Sequence, residues 1–362
     1  MRRILFYGLF AGSRNPYSLD VYTVDALVGL AQDSNTHIFF LTPQPDTYES
    51  SYDNVTIVPV PKWLRPRWGA QGLVRILWAT VAAPYLIRKY AATIFYSPVA
   101  EGPLFRFGRY WNVITVLDAI PALDRPWSLS GIYYRLILPL IFLTCDRVLT
   151  VSEAGLQQLA SVYGPRVEGR TRVVHYGAHL EQFAADGNIQ HENYILYVGN
   201  FLHYKNVETI IRSLALVDAD VQLYIVGSQA DWIQTGLSGL AKALGVHDRI
   251  CVFEGVDSTR LVHLYQRAIA LVHLSRYEGF GLTLVEAMAC GCPVVYANRS
   301  AMAEIVGDAG MAVSGENPEM VAVAITQLQS TERRSQYIAK GMLRSQMWSA
   351  ESFVQQIAAN IQ

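Results

Sequence analysis

The stretch Ser275-Arg-Tyr-Glu278-Gly279-Phe-Gly281-Leu-Thr283-Leu-Val-Glu286-Ala-Met-Ala-Cys-Gly291-Cys-Pro293-Val-Val-Tyr296 decides the fold. An apolar run from Ile269 to Leu274 precedes the loop and reads as a buried strand. A glycine-punctuated loop, a short helix and a second apolar run from Val294 follow, which makes a βαβ unit. Its polar and glycine residues fall at the carboxyl end of the first strand, where open parallel sheets bind ligands. Gly279 and Gly281 are poor helix residues, so one continuous helix cannot carry both glutamates. Glu278 is therefore expected on the loop and Glu286 in the first helical turn. Between them, the backbone N–H groups of a helix N-terminus offer a seat for a phosphate. Thr283-Leu-Val-Glu286 also has the spacing of a capping box, in which Glu286 would only bond the Thr283 backbone.

A chain of 362 residues suggests two domains. Hydrophobic residues make up 51% and charged residues 16%, enough apolar material for two cores and little scope for disorder. The 4 cysteines lack the even spacing of a disulfide framework. Cys290 and Cys292 flank Gly291 with no further ligands nearby and read as small buried hydrophobes rather than a zinc site. Met-Arg-Arg-Ile-Leu-Phe-Tyr-Gly at the start is too short in apolar length for a secretory leader and reads as a first strand, so the chain is expected in the cytoplasm. Ile76 to Ile87 contains Pro84, and Leu136 to Cys145 contains Pro139. Neither reaches the ~18 apolar residues of a membrane span, and both read as core helices.

Net charge is −1, with residues 1–185 holding 17 Lys/Arg against 13 Asp/Glu and residues 186–362 holding 12 against 17. That balance excludes a typical nucleic-acid binder. The cluster Lys62, Trp63, Arg65, Arg67 and Trp68, followed by Arg75, mixes cations with tryptophan and suits the surface of an anionic membrane. A solvated loop with incidental aromatics is the plainer reading.

Strand patterns at Arg3–Gly8, Thr36–Leu41, Val55–Val58, Thr93–Tyr96, Val113–Leu117, Arg147–Val151 and Arg172–His175 alternate with helical patterns, the longest at Gly72–Tyr90 and Ile132–Leu143. This implies a parallel sheet covered on both faces. The turn Gly8 to Gly12 lacks the spacing of a dinucleotide fingerprint, which argues against a nicotinamide enzyme. Residues Ala178 to Asn193 have no periodicity and read as a linker. The alternation then restarts with Tyr194–Val198, Val207–Leu216, Val221–Val226, Leu237–Leu244, Ile250–Phe253 and Thr259–Ala268. Asn317-Pro318 opens a further helix, and Glu351 to Ile361 forms the last one.

These motifs together resemble the retaining glycosyltransferases of family four, whose signature is two glutamates eight positions apart around Gly-Phe-Gly-Leu, here Glu278 and Glu286. Tyr194-Ile-Leu-Tyr-Val-Gly199-Asn200-Phe-Leu-His-Tyr-Lys205-Asn206 is similar to the family's strand, glycine turn and phosphate-binding Lys-Asn. Val221 to Gly227, Val252-Phe253-Glu-Gly255-Val256 and Glu304 to Gly310 resemble further family segments. Thr115-Val-Leu-Asp118 and Asp146 to Glu153 do so in the first half. The pattern is most similar to bacterial polysaccharide mannosyltransferases.

The resemblance implies an α/β fold of two Rossmann-like domains, the B-type glycosyltransferase architecture, facing across a cleft. Residues 1–180 would bind acceptor, residues 190–345 would bind the nucleotide sugar, and residues 346–362 would form a terminal helix crossing back to the first domain. It implies transfer of a hexose with retention, mannose from GDP-mannose being the expected donor, to a glycan or lipid-linked saccharide in surface polysaccharide synthesis. The expected catalytic residues are Asp118, Lys205 and Glu278. Gly12, Gly199, Asn200, Lys205, Phe253, Glu278, Gly279, Phe280, Gly281, Leu282 and Glu286 would hold the donor. Glu286 would accept the ribose hydroxyls and Glu278 a hydroxyl of the sugar, since ionised carboxylates suit vicinal diols.

The chain departs from the family at two places. Leu117 stands where a histidine is usual, and Tyr204 where an arginine is usual, so Arg147 or another cleft residue is a candidate to replace that cation. Asp118 reads equally as a cap for the turn that follows. No cofactor and no metal are expected, with no Asp-x-Asp pair serving one and Lys205 and the helix tip neutralising the diphosphate. A peripheral place on the inner face of the cytoplasmic membrane fits a lipid-linked acceptor. A nucleotide-sugar epimerase, and a non-catalytic partner subunit that binds nucleotide sugar, are the competing readings.

Overall fold

The computed structural model describes residues 1–11, 18–47, 52–66, 71–177, 180–185 and 191–361. It divides into two compact units, one of Met1–Gly177 with Ala350–Gln362 and one of Ala178–Ser349.

The first unit is built on β1 (Arg2–Tyr7), β2 (Thr36–Thr42), β3 (Val55–Pro59), β4 (Ile94–Ser97), β5 (Trp111–Thr115), β6 (Arg147–Thr150) and β7 (Thr171–Val173). They form a parallel sheet in the order β3-β2-β1-β4-β5-β6-β7. Parallel strands are covered on both faces, which is why Ile4, Leu5, Phe6 and Tyr7 are all buried rather than alternating. The connections α1 (Ser18–Ala31) and α2 (Gln71–Lys89) run in opposite directions along the sheet. Right-handed crossovers therefore place them on opposite faces. The links after β4 continue in the direction of the α2 connection, so their helices share the α2 face.

Those links hold α3 (Ile120–Asp124), α4 (Leu129–Ile132), a π-helical segment Tyr133–Ile137, α5 (Leu138–Thr144), α6 (Glu153–Tyr163) and α7 (Pro165–Glu168). Ile76 of α2 joins Leu138 and Ile141 of α5 in one core cluster. The sequence suggests one helix over Ile132–Leu143, but the chain widens into a π turn where Leu138 N–H reaches back to Tyr133 O. Pro139, with no N–H to give and a ring that crowds the preceding turn, accounts for the widening. On the other face, the terminal helix Ala350–Asn360 lies against α1, with Phe353 packed 5.5 Å from Tyr22 and 5.3 Å from Tyr176. Gln356 and Asn360 tie it further, accepting from His175 N and Arg147 Nη1.

The second unit holds β8 (Tyr194–Val198), β9 (Gln222–Val226), β10 (Ile250–Phe253), β11 (Ala270–His273), β12 (Val294–Ala297) and β13 (Met311–Val313) in the order β10-β9-β8-β11-β12-β13, all parallel. Its helices are α8 (Val207–Leu214), α9 (Gln229–Gln234), α10 (Leu237–Ala243), α11 (Ser258–Arg267), α12 (Leu282–Ala289), α13 (Ser300–Val306), α14 (Pro318–Leu328) and α15 (Thr331–Ser345). Asn317 caps α14 by accepting from Met320 N. The sequence reading misses α9, α13, β13 and α15. The first three are too short for a periodic signal, and α15 is so polar that its narrow apolar seam hides among charges. That seam works by close approach, since a Cβ on Gly341 would lie 3.3 Å from Met288 of α12.

Truncating Phe353 to alanine is expected to destabilise the first unit by about 3 to 5 kcal/mol, because the ring is fully enclosed by two tyrosines. Denaturant unfolding followed by tyrosine fluorescence checks this. An unchanged first transition would mean that the terminal helix contributes nothing to that core.

Candidate functional site

In the second sheet, β8 and β11 are adjacent although the chain visits β9 and β10 between them. Connections leaving the carboxyl ends of such a pair diverge to opposite faces and open a crevice, where doubly wound sheets place their ligands. The loop after β8 carries Lys205 and the loop after β11 carries Glu278, so this topology brings them together from 73 positions apart.

Lys205 Nζ lies 2.9 Å from both carboxylate oxygens of Glu278. His273 Nε2 lies 3.3 Å from Glu278 Oε1. On the other side of the ring, Nδ1 lies 3.4 Å from Thr283 Oγ1. Ser275 Oγ also sits 3.0 Å from Nε2. Burial would raise the Glu278 pKa, but Lys205 and the His273 contact outweigh it and hold the carboxyl down at about 2. The backbone is clamped as well, because Glu278 N donates to Ser300 Oγ while Ser300 O–H donates to Glu278 O. His273, Ser275 and Ser300 carry no sequence signal for this work: His273 reads as one more member of an apolar strand.

Gly281 turns the chain into α12 with φ +102, a conformation that L side chains rarely adopt, and caps it without a side-chain bond. Glu286 is the fifth residue of α12 and so stands in the second turn, not the first. The capping box is absent, since Thr283 faces His273 and Glu286 accepts from Tyr265 OH at 3.0 Å. With no cation as partner among the described residues, desolvation dominates and pushes the Glu286 carboxyl up to about 7. Two glutamates of one motif are thus driven in opposite directions by their surroundings, which marks the pair as a candidate functional site.

The other expected residues divide by role. Gly199 and Asn200 follow β8, and Gly227 beside them has no room for a side chain because a Cβ would meet Gly199 O at 2.8 Å. Phe280 turns its ring inward against Trp348, 5.7 Å away, so only its backbone can serve a ligand. Phe253 ends β10 and carries the Arg260 guanidinium over its ring. Asn206 adopts a left-handed conformation, and its side chain anchors Gly315 O and Thr209. The cation expected from Arg147 is not there: Arg147 opens β6 at the amino end of its strand and donates to Asn360 O. Arg276, which bonds His203 O and approaches Asn206 Oδ1 at 3.3 Å, is the guanidinium that borders the Lys205 turn. Gly12, Arg67 and Trp68 lie outside the described residues.

In the first unit, Asp118 Oδ1 accepts from Ile120 N and caps the turn into α3. The switch point of that sheet, between β1 and β4, holds a buried cluster in which Arg75 grips Glu101 through Nε and Nη2 and Tyr7 O–H donates to Glu101. Arg75 was expected beside the exposed cation cluster and is instead a core residue. Asp218 and Asp220 do have Asp-x-Asp spacing, but they precede β9 at the amino end of the sheet, where Asn193 donates to Asp220. Among the described residues no group of three or more His, Cys, Asp or Glu could hold a metal ion.

Two doubly wound parallel units of this kind make up the GT-B fold. Sucrose-phosphate synthase from Thermosynechococcus elongatus superposes with a TM-score of 0.77 at 19% identity, covering 99% of this chain and 98% of that one. Anabaena Alr3699/HepE in complex with UDP-glucose gives 0.75 at 17% identity, covering 99% of each chain. Residues 180–343 match the model of the family Glycosyl transferases group 1. The O-antigen chain mannosyltransferase RfbU of Salmonella typhimurium is 26% identical over 63% of this chain and 65% of its own length. The O-antigen chain mannosyltransferase B of Escherichia coli is 30% identical over 44% of this chain and 43% of its own. The chain thus spans between about two fifths and two thirds of these two relatives.

The opposed carboxyl shifts have opposite consequences for stability. Glu286, raised from 4.5 to about 7, keeps its proton in the folded state while the unfolded chain has lost it, so stability falls as pH climbs through that window. Glu286→Gln is expected to be more stable than the parent at pH 8, by on the order of 2 to 3 kcal/mol. Glu278, lowered to about 2, contributes stability above 4.5 that is lost as pH falls through about 2. Glu278→Gln is expected to flatten the acid limb. Urea titrations at a series of pH values test both, and parallel curves for parent and variants would refute the assignments.

Proposed function

We propose that this chain is a retaining glycosyltransferase of polysaccharide biosynthesis that moves a hexose, mannose from GDP-mannose, to a glycan or lipid-linked saccharide. The observation that carries the reading is the Lys205–Glu278 pair at 2.9 Å beside the amino-terminal turn of α12, with Glu286 further along the same helix. Names of relatives favour mannose, whereas the Anabaena neighbour, similar in fold only, was solved with UDP-glucose. Donor base is therefore the first thing to measure.

In this mechanism the leaving diphosphate gathers negative charge as the sugar C1–O bond breaks. Lys205 has three N–H donors, of which two are used by Glu278, and the third is aimed at the β-phosphate. The first-turn N–H groups of α12 add fixed positive potential. Glu278, held ionised and immobile, accepts from a sugar hydroxyl, and Glu286 accepts from the ribose once it is deprotonated. The acceptor oxygen attacks C1 on the face that the diphosphate leaves, and its proton passes to a β-phosphate oxygen, so configuration is retained with no protein nucleophile and no metal. Asp118 contributes from the first unit toward the sugar or the acceptor hydroxyl. The chain works in the cytoplasm, at the inner face of the membrane that carries a lipid-linked acceptor. Lys62 and Trp63 of the expected membrane patch are exposed and Arg65 is half-buried.

Thermal melts with GDP, UDP and ADP test the donor site, since a ligand that binds only the native state raises the midpoint with the logarithm of its concentration. GDP is expected to shift it most. Lys205→Ala and Glu286→Gln should each weaken GDP about tenfold or more, as loss of a charged hydrogen bond predicts. For the parent, affinity should rise between pH 6 and 8 as Glu286 ionises. Equal GDP shifts in parent and both variants would remove the assigned donor pocket.

A further inference from the structure

The α2 face of the first sheet is apolar on its outside as well as its inside. On α2, Leu77, Val81 and Tyr85 are 59%, 79% and 66% exposed. On the neighbouring segment, Leu136, Leu140 and Leu143 are 63%, 46% and 62% exposed. The first set recurs every four residues and the second at four and then three, so each forms a stripe along one helical side. Both segments rest on one core, since Ile76, Leu138 and Ile141 belong to a single buried cluster. The loop joining β4 to β5 bridges them: Leu104 N donates to Thr80 of α2, and Thr144 at the end of α5 donates to Pro103 O. That loop adds Phe105 and Phe107, each 63% exposed. Exposed apolar surface gathered in one place on this scale marks a docking site.

Charge indicates what docks there. Residues 71–89 contain no Asp or Glu and end in Arg88 and Lys89, both exposed. Residues 126–145 also contain no Asp or Glu and carry Arg135. Under the same face opens a cavity of about 330 Å³ lined by Pro139, Phe142, Leu143 and Val162, with Arg166 and Arg170. Its lining residues sit at the amino ends of β6 and β7, the opposite edge of the sheet from that at which such folds bind substrates. The two helical segments carry cations and no carboxylates, and Asp146 behind the Phe105–Phe107 loop is neutralised by Arg106 at 2.8 Å, so this apolar layer matches the boundary between headgroups and acyl chains of an anionic bilayer.

We infer that the chain docks on an anionic phospholipid membrane through the outer sides of α2 and α5, rather than through the loop at Lys62 and Trp63. The inference rests on the membrane reading above, and names the surface that performs it. The exposed stripes enter the acyl boundary, Arg88, Lys89 and Arg135 meet phosphates, and the slot beneath Leu143 admits an acyl chain.

The test is flotation of the full chain with vesicles of phosphatidylcholine alone or mixed with phosphatidylglycerol. The parent should float with the mixed vesicles, and less so at high salt. Val81→Asp with Leu140→Asp, both at exposed positions, should lower the bound fraction at least tenfold with an unchanged circular dichroism melt. Lys62→Ala with Trp63→Ala should float as the parent does. A parent that floats with no vesicle defeats the membrane reading itself. A parent that floats while the Asp variant floats equally overturns this surface alone. A concentration-dependent dimer that the Asp variant dissolves, with no flotation, would assign the face to a second copy and overturn it too.

Discussion

A buried lysine–carboxylate pair is the constraint on which the second unit depends. Lys205 and Glu278 are both largely withdrawn from water, where either charge alone would be costly. Each is tolerated because the other is 2.9 Å away, and because His273, Ser275 and Ser300 hold the loop that presents it. That arrangement demands that β8 and β11 lie side by side, since their following loops supply the partners. Sheet order and site are therefore one requirement seen at two scales.

The contrast between the two glutamates shows how one motif yields two chemistries. Glu278 meets a cation and an imidazole nitrogen and stays a carboxylate across the usual pH range. Glu286, eight positions on, meets only a tyrosine hydroxyl amid apolar surroundings and is drawn toward its neutral form. A group in that state gains its charge at little cost when a ligand brings hydroxyl donors. Under the proposed function, stability given up at Glu286 is recovered as binding energy when the ribose hydroxyls dock there.

The two sheets share a layout and differ in what occupies the switch point. In the second unit it holds a lysine and a carboxylate at the mouth of a glycine-bearing loop. In the first it holds Arg75 locked to Glu101 and Tyr7, with Arg75 Nη1 buried and unpartnered among the described residues. That cluster fixes the loops after β1 and β4 through charge rather than through apolar packing. Its cation cannot be read as a surface feature from its place in the sequence.

Much of this was legible in residue order. Apolar runs such as Leu5 to Tyr7 and Tyr194 to Val198, bounded by polar and glycine residues, identify covered parallel strands because each side chain there must leave water. Glu278, the glycines and Glu286 announce a loop-to-helix site for the same local reasons. What residue order left open is everything set by contact at a distance. Only the tertiary structure gave Glu286 to Tyr265 instead of a helix cap, carried Arg147 to the terminal helix, placed His273 under Glu278, and exposed the outer sides of α2 and α5. Backbone preference and hydrophobic period act over a few residues and so are written in the chain. Desolvation and pairing act between segments that meet only once the sheets are formed.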